Sequence, residues 1–427
     1  MADKESILNK KEEKKDSNCI FSKENVNMGR QSELDYYKGL NVILMTLLHG
    51  YENFSQGFLF SFLEFLSIFF GAAAFMILMG IGMRYSRHHE LKNYINRGFS
   101  LLTMGIFVNL IRNALPNVIA WWITGNYKFI SRALLILQGD ILTFAGIAFL
   151  FLALLKKMKL SDSYILIISI IMNTAALFIY QIMKPPKNYL LSQFLGYFVM
   201  TDAEAFFPLF SHFLFVAFGY WFGGIYQKIL NKNKFYSIIL IICLPLSIIY
   251  NYLRSHFIFP LLPEYMSNES FILVSGPDAL ATIINNLTTI AIYQKIDMIF
   301  KGKTPKFILH ASQNLNQYYI LGYIFIIHIN TFMQVTGGEE SPSKMKYPTL
   351  VNFMILLICK ILIDMNDKYI HFTITTLKNR KRKIVFSLIW IMSIISTIYI
   401  YPKVEIYATI WNYYLDLKLM RQFNITI

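Results

Sequence analysis

His49 and Glu52 stand three residues apart at the far end of an apolar run that opens at Lys38 (KGLNVILMTLLHGYEN). On a helix, residues i and i+3 are neighbours, so the carboxylate can orient the imidazole. A histidine held this way is a competent general base near neutral pH. Lys38 is eleven residues earlier, about 16 Å along a helix axis. That spacing sets a cation at one mouth of an apolar helix and a base well into its other half. The plainer account of His49 is an inert interfacial histidine with its hydrogen bonds satisfied. Arg84 and Arg87, three apart, are expected to share a helical face where the second apolar run ends, and Arg97 opens the third. Guanidinium forks suit phosphate, so Lys38, Arg84, Arg87 and Arg97 together would suit a polyanion. The simpler account of the Arg pair is a positive anchor at a membrane surface.

A titratable group at membrane depth is costly and therefore marks a candidate for function. Asp140 is the strongest such acid: it either pairs with Arg112 or Arg132, or holds acceptor hydroxyls. His212 is a candidate cavity residue, although for His212 and His328 packing with a satisfied hydrogen bond is the simpler expectation. Asp278, Asn285 and Asn286 are expected to face the same cavity. Lys360 and Asp364, four apart, are expected to form a helical ion pair.

These residues must be positioned by membrane helices. The chain has 427 residues, 55% hydrophobic and only 15% charged, against about 45–50% and about 25% for soluble domains. That excludes an ordinary soluble enzyme, a disulfide scaffold and a disordered chain. Apolar runs of spanning length fall at about 38–53, 60–83, 98–121, 135–155, 163–183, 205–227, 235–256, 278–299, 308–334, 348–366 and 384–402. The stretch 188–200 is too short and reads as interfacial or re-entrant. The runs lack period-2 alternation, which excludes a barrel. The expected fold is all-α, a polytopic transmembrane helical bundle of about 10–12 spans. A polar tail, 1–34, precedes the bundle at 35–403. An aromatic segment, 404–427, follows as an interfacial helix or weak span.

With the N-terminus cytoplasmic, the inner segments carry 28 of the 40 Lys and Arg, the bias that sets topology. That bias also accounts for the net charge of +15 without nucleic acid. The expected location is the cell membrane, multi-pass. No internal repeat or pattern of broken helices points to a secondary transporter. Walker loops, dinucleotide fingerprints, metal clusters and serine elbows are absent from the sequence. Cys19, Cys243 and Cys359 are too scattered for a disulfide framework.

The stretch Arg30–Phe54 resembles the opening of the acyltransferase-3 family, whose first span carries a basic residue, an adjacent Gly and a His ten intervening residues later. Residues 70–97 resemble that family's second signature: an aromatic-rich span, a small-residue turn, an Arg-x-x-Arg pair and a later Arg. Gly139-Asp140-Ile141-Leu142-Thr143-Phe144-Ala145-Gly146, followed by Lys156-Lys157, is similar to the related heparan-glucosaminide N-acetyltransferase-like proteins. So are Phe207-Pro208-Leu209-Phe210 and Asn314-Leu315-Asn316-Gln317-Tyr318-Tyr319. The likeness covers most of 30–330. Two positions differ: Lys38 stands for the usual Arg, and Met79-Gly80 for Ser-Gly.

The resemblance implies an acetyl or other acyl group moved from cytosolic acyl-CoA to a hydroxyl or amine of a cell-surface glycan. Lys38, Arg84, Arg87 and Arg97 would bind the donor, acetyl-CoA in the first instance. His49 with Glu52 would be catalytic, Asp140 and His212 would face the acceptor or cavity, and no metal would take part. The alternatives are a lipid-linked glycan transporter or polymerase, which would call for Arg-rich outer loops, and a non-catalytic relative.

Overall fold

The computed structural model describes residues 19–55, 57–67, 69–87, 90–133, 136, 138–183, 186, 189–199, 206–256, 274–300, 303–337, 345–370, 384, 387, 388, 390 and 391. Among these there is no strand, only an isolated bridge between Phe21 and Ile229. The apolar runs close their backbone hydrogen bonds within helices, as a hydrocarbon environment requires.

In chain order the helices are α1 (Ser32–Phe54), α2 (Phe58–Leu66), α3 (Ala72–Tyr85), α4 (Leu91–Asn109), α5 (Leu115–Thr124), α6 (Tyr127–Ala133), α7 (Ile141–Lys157) and α8 (Asp162–Ile182). They continue with α9 (Tyr189–Gly196), α10 (Leu209–Tyr226), α11 (Lys232–His256), α12 (Gly276–Ile299), α13 (Lys306–Gln313), α14 (Leu315–Gly337) and α15 (Pro348–Met365). Six stretches among the described residues are long and apolar enough to cross a membrane: Leu91–Thr124, Asp162–Ile182, Leu209–Tyr226, Lys232–Leu253, Leu315–Gly337 and Pro348–Tyr369. The protein is an all-α, multi-pass membrane bundle.

Three expected spans differ in detail. The run at 60–83 is not one helix: α2 and α3 are separate, and Gly71 between them has φ of 126°, a backbone conformation that favours glycine. Asn41 braces the break from α1, its amide accepting from Gly71 N at 2.8 Å and donating to Gly71 O at 3.3 Å. Tyr37 donates to Phe69 O at 3.1 Å. Hydropathy runs unbroken through this turn, so composition hides it. The third span is longer than expected, because α4 continues through a π-turn, Leu110–Ala114, into α5. The ninth is interrupted at Asn314 between α13 and α14. The expected spans or segments at 384–402 and 404–427 lie almost wholly or wholly outside the described residues, as do residues 1–18.

The rest of the polar N-terminal segment is built in. Residues 19–31 lie along the turn between α10 and α11. Ser22 N donates to Lys228 O at 2.7 Å, Val26 N to Gln227 O at 2.8 Å, and Leu230 N to Ile20 O at 2.8 Å. The next turn is clamped by Glu33, 1% exposed, which accepts from the Tyr226 hydroxyl and from Lys232 Nζ.

Two helix crossings form the centre of the bundle. In the first, α3 lies against α10, with Gly80 and Gly219 at the contact. A Cβ on Gly80 would land on the Val216 carbonyl oxygen, and one on Gly219 on the Ile77 carbonyl oxygen. Small residues at membrane helix crossings permit such approach. In the second, α4 lies against α7. Helix α1 completes the bundle from the other side, packed by α12, α13, α14 and α15. Gly39, beside Lys38, lets α1 meet the Ile308 carbonyl of α13.

Candidate functional site

A cavity of about 660 Å³ opens between α1, α3, α4, α7, α13 and α14. Its walls are largely apolar (Met76, Met79, Leu101, Ala145, Phe149), with polar groups from Lys38, Ser86, Asn93, Arg97, Ser312, Asn316 and Tyr319. At one end, called here the basic end, stand Ser86, Asn93, Arg97 and, from α1, Lys38. At the other stand Ile141 and Leu142, at the start of α7, and Tyr319 of α14.

Among the four cations expected to act together, two line the cavity. Neither Lys38 nor Arg97 has an ion-pair partner among the described residues; Arg97 lies over the Phe149 ring, 5.5 Å from its centre. Arg84 turns away: it pairs with Asp162 of α8 at 3.1 Å and lies 5.5 Å from the Tyr220 ring. Arg87 does not share a helical face with Arg84, because α3 ends at Tyr85 and Ser86 is already extended. Arg87 is exposed, outside the cavity wall.

At the opposite end a buried polar cluster backs onto the cavity. Asp140 caps α7, accepting from Leu142 N at 3.0 Å and Thr143 N at 3.1 Å, which fits an acid at a helix N-terminus. Its second oxygen accepts from the Tyr319 hydroxyl at 3.5 Å and faces Arg112 Nη1 at 3.7 Å. Of the two partners expected for Asp140, the structure gives Arg112. Arg132 instead donates to Gln334 Oε1 at 2.6 Å. Arg112 is carried inward by the π-turn, a local widening often found at functional sites. It is 2% exposed, donates from Nη2 to Asn109 at 2.6 Å and lies 4.5 Å above the Tyr323 ring.

Tyr323 connects this cluster to the expected base. Its ring stacks on Tyr319 at 6.0 Å and meets His49 at 4.8 Å. His49 is half-buried, and its Nδ1 is 2.9 Å from Glu52 Oε2. With Nδ1–H donating to that carboxylate, the tautomer assigned from this hydrogen bond leaves Nε2 as the basic nitrogen. His49 and Glu52 lie outside the cavity wall, behind Tyr323; beyond them amides bond to one another, Asn330 donating to Asn53 at 3.0 Å and Gln334 to Asn330 at 3.3 Å.

Other expected residues lie elsewhere. His212 is 2% exposed, its Nδ1 3.2 Å from the Pro208 carbonyl and its ring among Phe144, Phe207 and Phe215. It is packed and does not line the cavity. His328 likewise bonds to Ile111 O at 2.8 Å. Asp278, Asn285 and Asn286 do not face the cavity. They accept from Tyr250, Ser247 and Tyr37 respectively and tie α12 to α11 and α1. Lys360 and Asp364 do pair, and Asp364 also meets His310 Nε2 at 2.9 Å.

Tyr323 was invisible to sequence reasoning, being one aromatic among 27 Tyr and 37 Phe. Tyr319 was legible only as the end of the Asn314–Tyr319 motif, and Arg112 only as a partner for Asp140.

No curated protein and no solved structure matches the chain. A family model described as heparan-alpha-glucosaminide N-acetyltransferase, catalytic, matches residues 30–252, just over half of the sequence. The match begins at Arg30 and ends within α11; it is to the second of the two families the sequence resembles, and it does not show the acyltransferase-3 family. It takes in Lys38, His49, Arg97, Arg112 and Asp140, while Tyr319 and Tyr323 lie beyond it. With that match laid over an all-helical membrane bundle, the chain belongs to the heparan-alpha-glucosaminide N-acetyltransferase catalytic family.

Proposed function

We propose that this membrane acetyltransferase takes its acetyl group from coenzyme A in the cytosol and passes it to an amine or hydroxyl of a glycan across the cell membrane. One observation carries the reading. A single cavity joins two cations without an ion-pair partner among the described residues, Lys38 and Arg97, to an end that lies two ring contacts from His49. The Lys and Arg bias of the sequence turns the basic end toward the cytosol.

A coenzyme A thioester supplies an activated acyl carbon. Lys38 and Arg97 would hold its phosphates, Lys38 as a point charge and Arg97 as a fork. The apolar wall from Met76 to Phe149 would exclude water from the thioester arm. His49 Nε2, with Nδ1 held by Glu52, would take the proton of the acceptor as its nitrogen or oxygen bonds to the acyl carbon. The proton would then pass to the departing sulfur. Amides beyond His49, Asn53 and Asn330, suit hydroxyl-rich acceptors. The family's name points to a glucosaminide amine as the first acceptor to try.

The test is binding of acetyl-CoA to purified full-length protein at low and moderate salt. Lys38→Met/Arg97→Met is expected to weaken binding about 100-fold, as for loss of two charge-assisted contacts, and to flatten its salt dependence. Arg84→Ala/Arg87→Ala is expected to cost less than about 10-fold, because neither residue lines the cavity. Wild-type protein that fails to bind acetyl-CoA at either salt overturns the donor assignment.

A further inference from the structure

Resting on that reading, we propose that Tyr319 donates the hydrogen bond that stabilises the thioester carbonyl oxygen as it becomes an oxyanion, and that Arg112 is the positioning residue that fixes Tyr319. Acyl transfer needs a preorganised donor where negative charge develops. At the deep end of the cavity the neighbouring lining side chains, Phe75, Ile141, Leu142 and Ala145, have no donor. Ser312 lines the cavity too, but its hydroxyl is spent on Asp35 at 2.8 Å. Asn316 lies one turn nearer the basic end. Tyr319 is the hydroxyl left at the place where the acyl group would stop.

That hydroxyl is held but not saturated. Its bond to Asp140 Oδ2 is 3.5 Å long, at the weak limit of hydrogen bonding, so a closer acceptor can draw it away. Behind it lies Arg112, 2% exposed, with no hydrogen bond at Nε or Nη1 among the described residues. A guanidinium buried at membrane depth is expensive, and Nη1 here meets Asp140 Oδ2 only at 3.7 Å. Its charge beside the Tyr319–Asp140 pair favours negative charge building up at this point. Its stack on Tyr323 also fixes the ring that separates Tyr319 from His49.

The step balances without a further reactant. The acceptor's lone pair forms the bond to the acyl carbon, and its proton goes to His49 Nε2. The carbonyl π electrons move onto oxygen, which accepts from Tyr319. They return as the C–S bond breaks, and the thiolate takes the proton from His49. Tyr319 keeps its own proton throughout.

The experiment uses purified full-length protein, acetyl-CoA labelled with ¹³C at the thioester carbonyl, and glucosamine as acceptor, with water as a second acceptor. In wild type the bound carbonyl stretch is expected at lower frequency than in free acetyl-CoA. In Tyr319→Phe, which keeps the ring stack, that shift should vanish. The thiol-release kcat should fall about 100- to 1000-fold, while acetyl-CoA affinity changes less than threefold. Arg112→Lys should reduce kcat in the wild-type background and add little in the Tyr319→Phe background. A Tyr319→Phe protein with an unchanged carbonyl stretch, or with more than half the wild-type kcat, overturns the donor role. Full additivity of the two changes overturns the positioning role. Wild-type protein that does not bind acetyl-CoA is a different result: it removes the acetyl-donor reading itself.

Discussion

His49→Ala is expected to lower kcat by about 100- to 10 000-fold, the usual range for losing a general base, without loss of folded protein. The imidazole is half-buried, and its polar partner Glu52 is more than half exposed, so little stability rides on it. The loss should sit in kcat, with acetyl-CoA affinity unchanged, because the donor's cationic end is about 16 Å away along α1. Glu52→Gln tests the same geometry more gently. It removes a charge from beside Nδ1 but leaves Nε2 in place, and is expected to cost about 10-fold. Rates measured with glucosamine or by thiol release, beside monodispersity in detergent, separate catalysis from folding. A His49→Ala protein that transfers at the wild-type rate would sink the general-base assignment.

Gly219→Leu is expected to prevent the bundle from forming. Its Cβ would already lie 2.1 Å from the Ile77 carbonyl oxygen, and that neighbour is backbone and cannot rotate away. Ordinary overpacking costs about 1–3 kcal/mol; separating α3 from α10 should exceed that, because these helices carry much of the buried core. Gly82, on the same helix as Gly80, is the control. A Cβ there meets nothing within 4 Å, and Gly82→Ala is expected to be neutral or to stabilise by less than about 1 kcal/mol. Thermal unfolding followed by tryptophan fluorescence distinguishes them. Equal midpoints for the Gly219 and Gly82 variants would show that the crossing is not close-packed.

The difference between what sequence and structure reveal follows from range. Long apolar runs show themselves by composition, so the bundle and most of its helices were readable. So was the His49–Glu52 pair, which one helix turn determines. The break at Gly71 and the π-turn at Arg112 leave hydropathy unchanged, so averaging over a window passes across them. From sequence, Arg84 falls to the donor because it stands three residues from Arg87, where an unbroken helix would set both forks on one face. What redirects it, Asp162 and Tyr220, lies on two helices far along the chain. Tyr323 carries no motif, and its importance comes only from standing between Arg112 and His49.

Helix α1 carries both Lys38 and His49, yet its close partners α12, α13, α14 and α15 all follow residue 275. Bonds such as Tyr37 to Asn286 and Tyr51 to Thr349 join residues 249 and 298 positions apart. During synthesis the first helix to emerge gains only α2, α3 and the turn at Gly71 early, and must wait for the last helices for most of its neighbours. A chain that stalls or is cut before α14 would hold its base in lipid with no cavity beside it. Quality control has a simple signal to read in such a chain: the polar groups of Lys38 and His49, left without most of their helical neighbours until the final helices arrive.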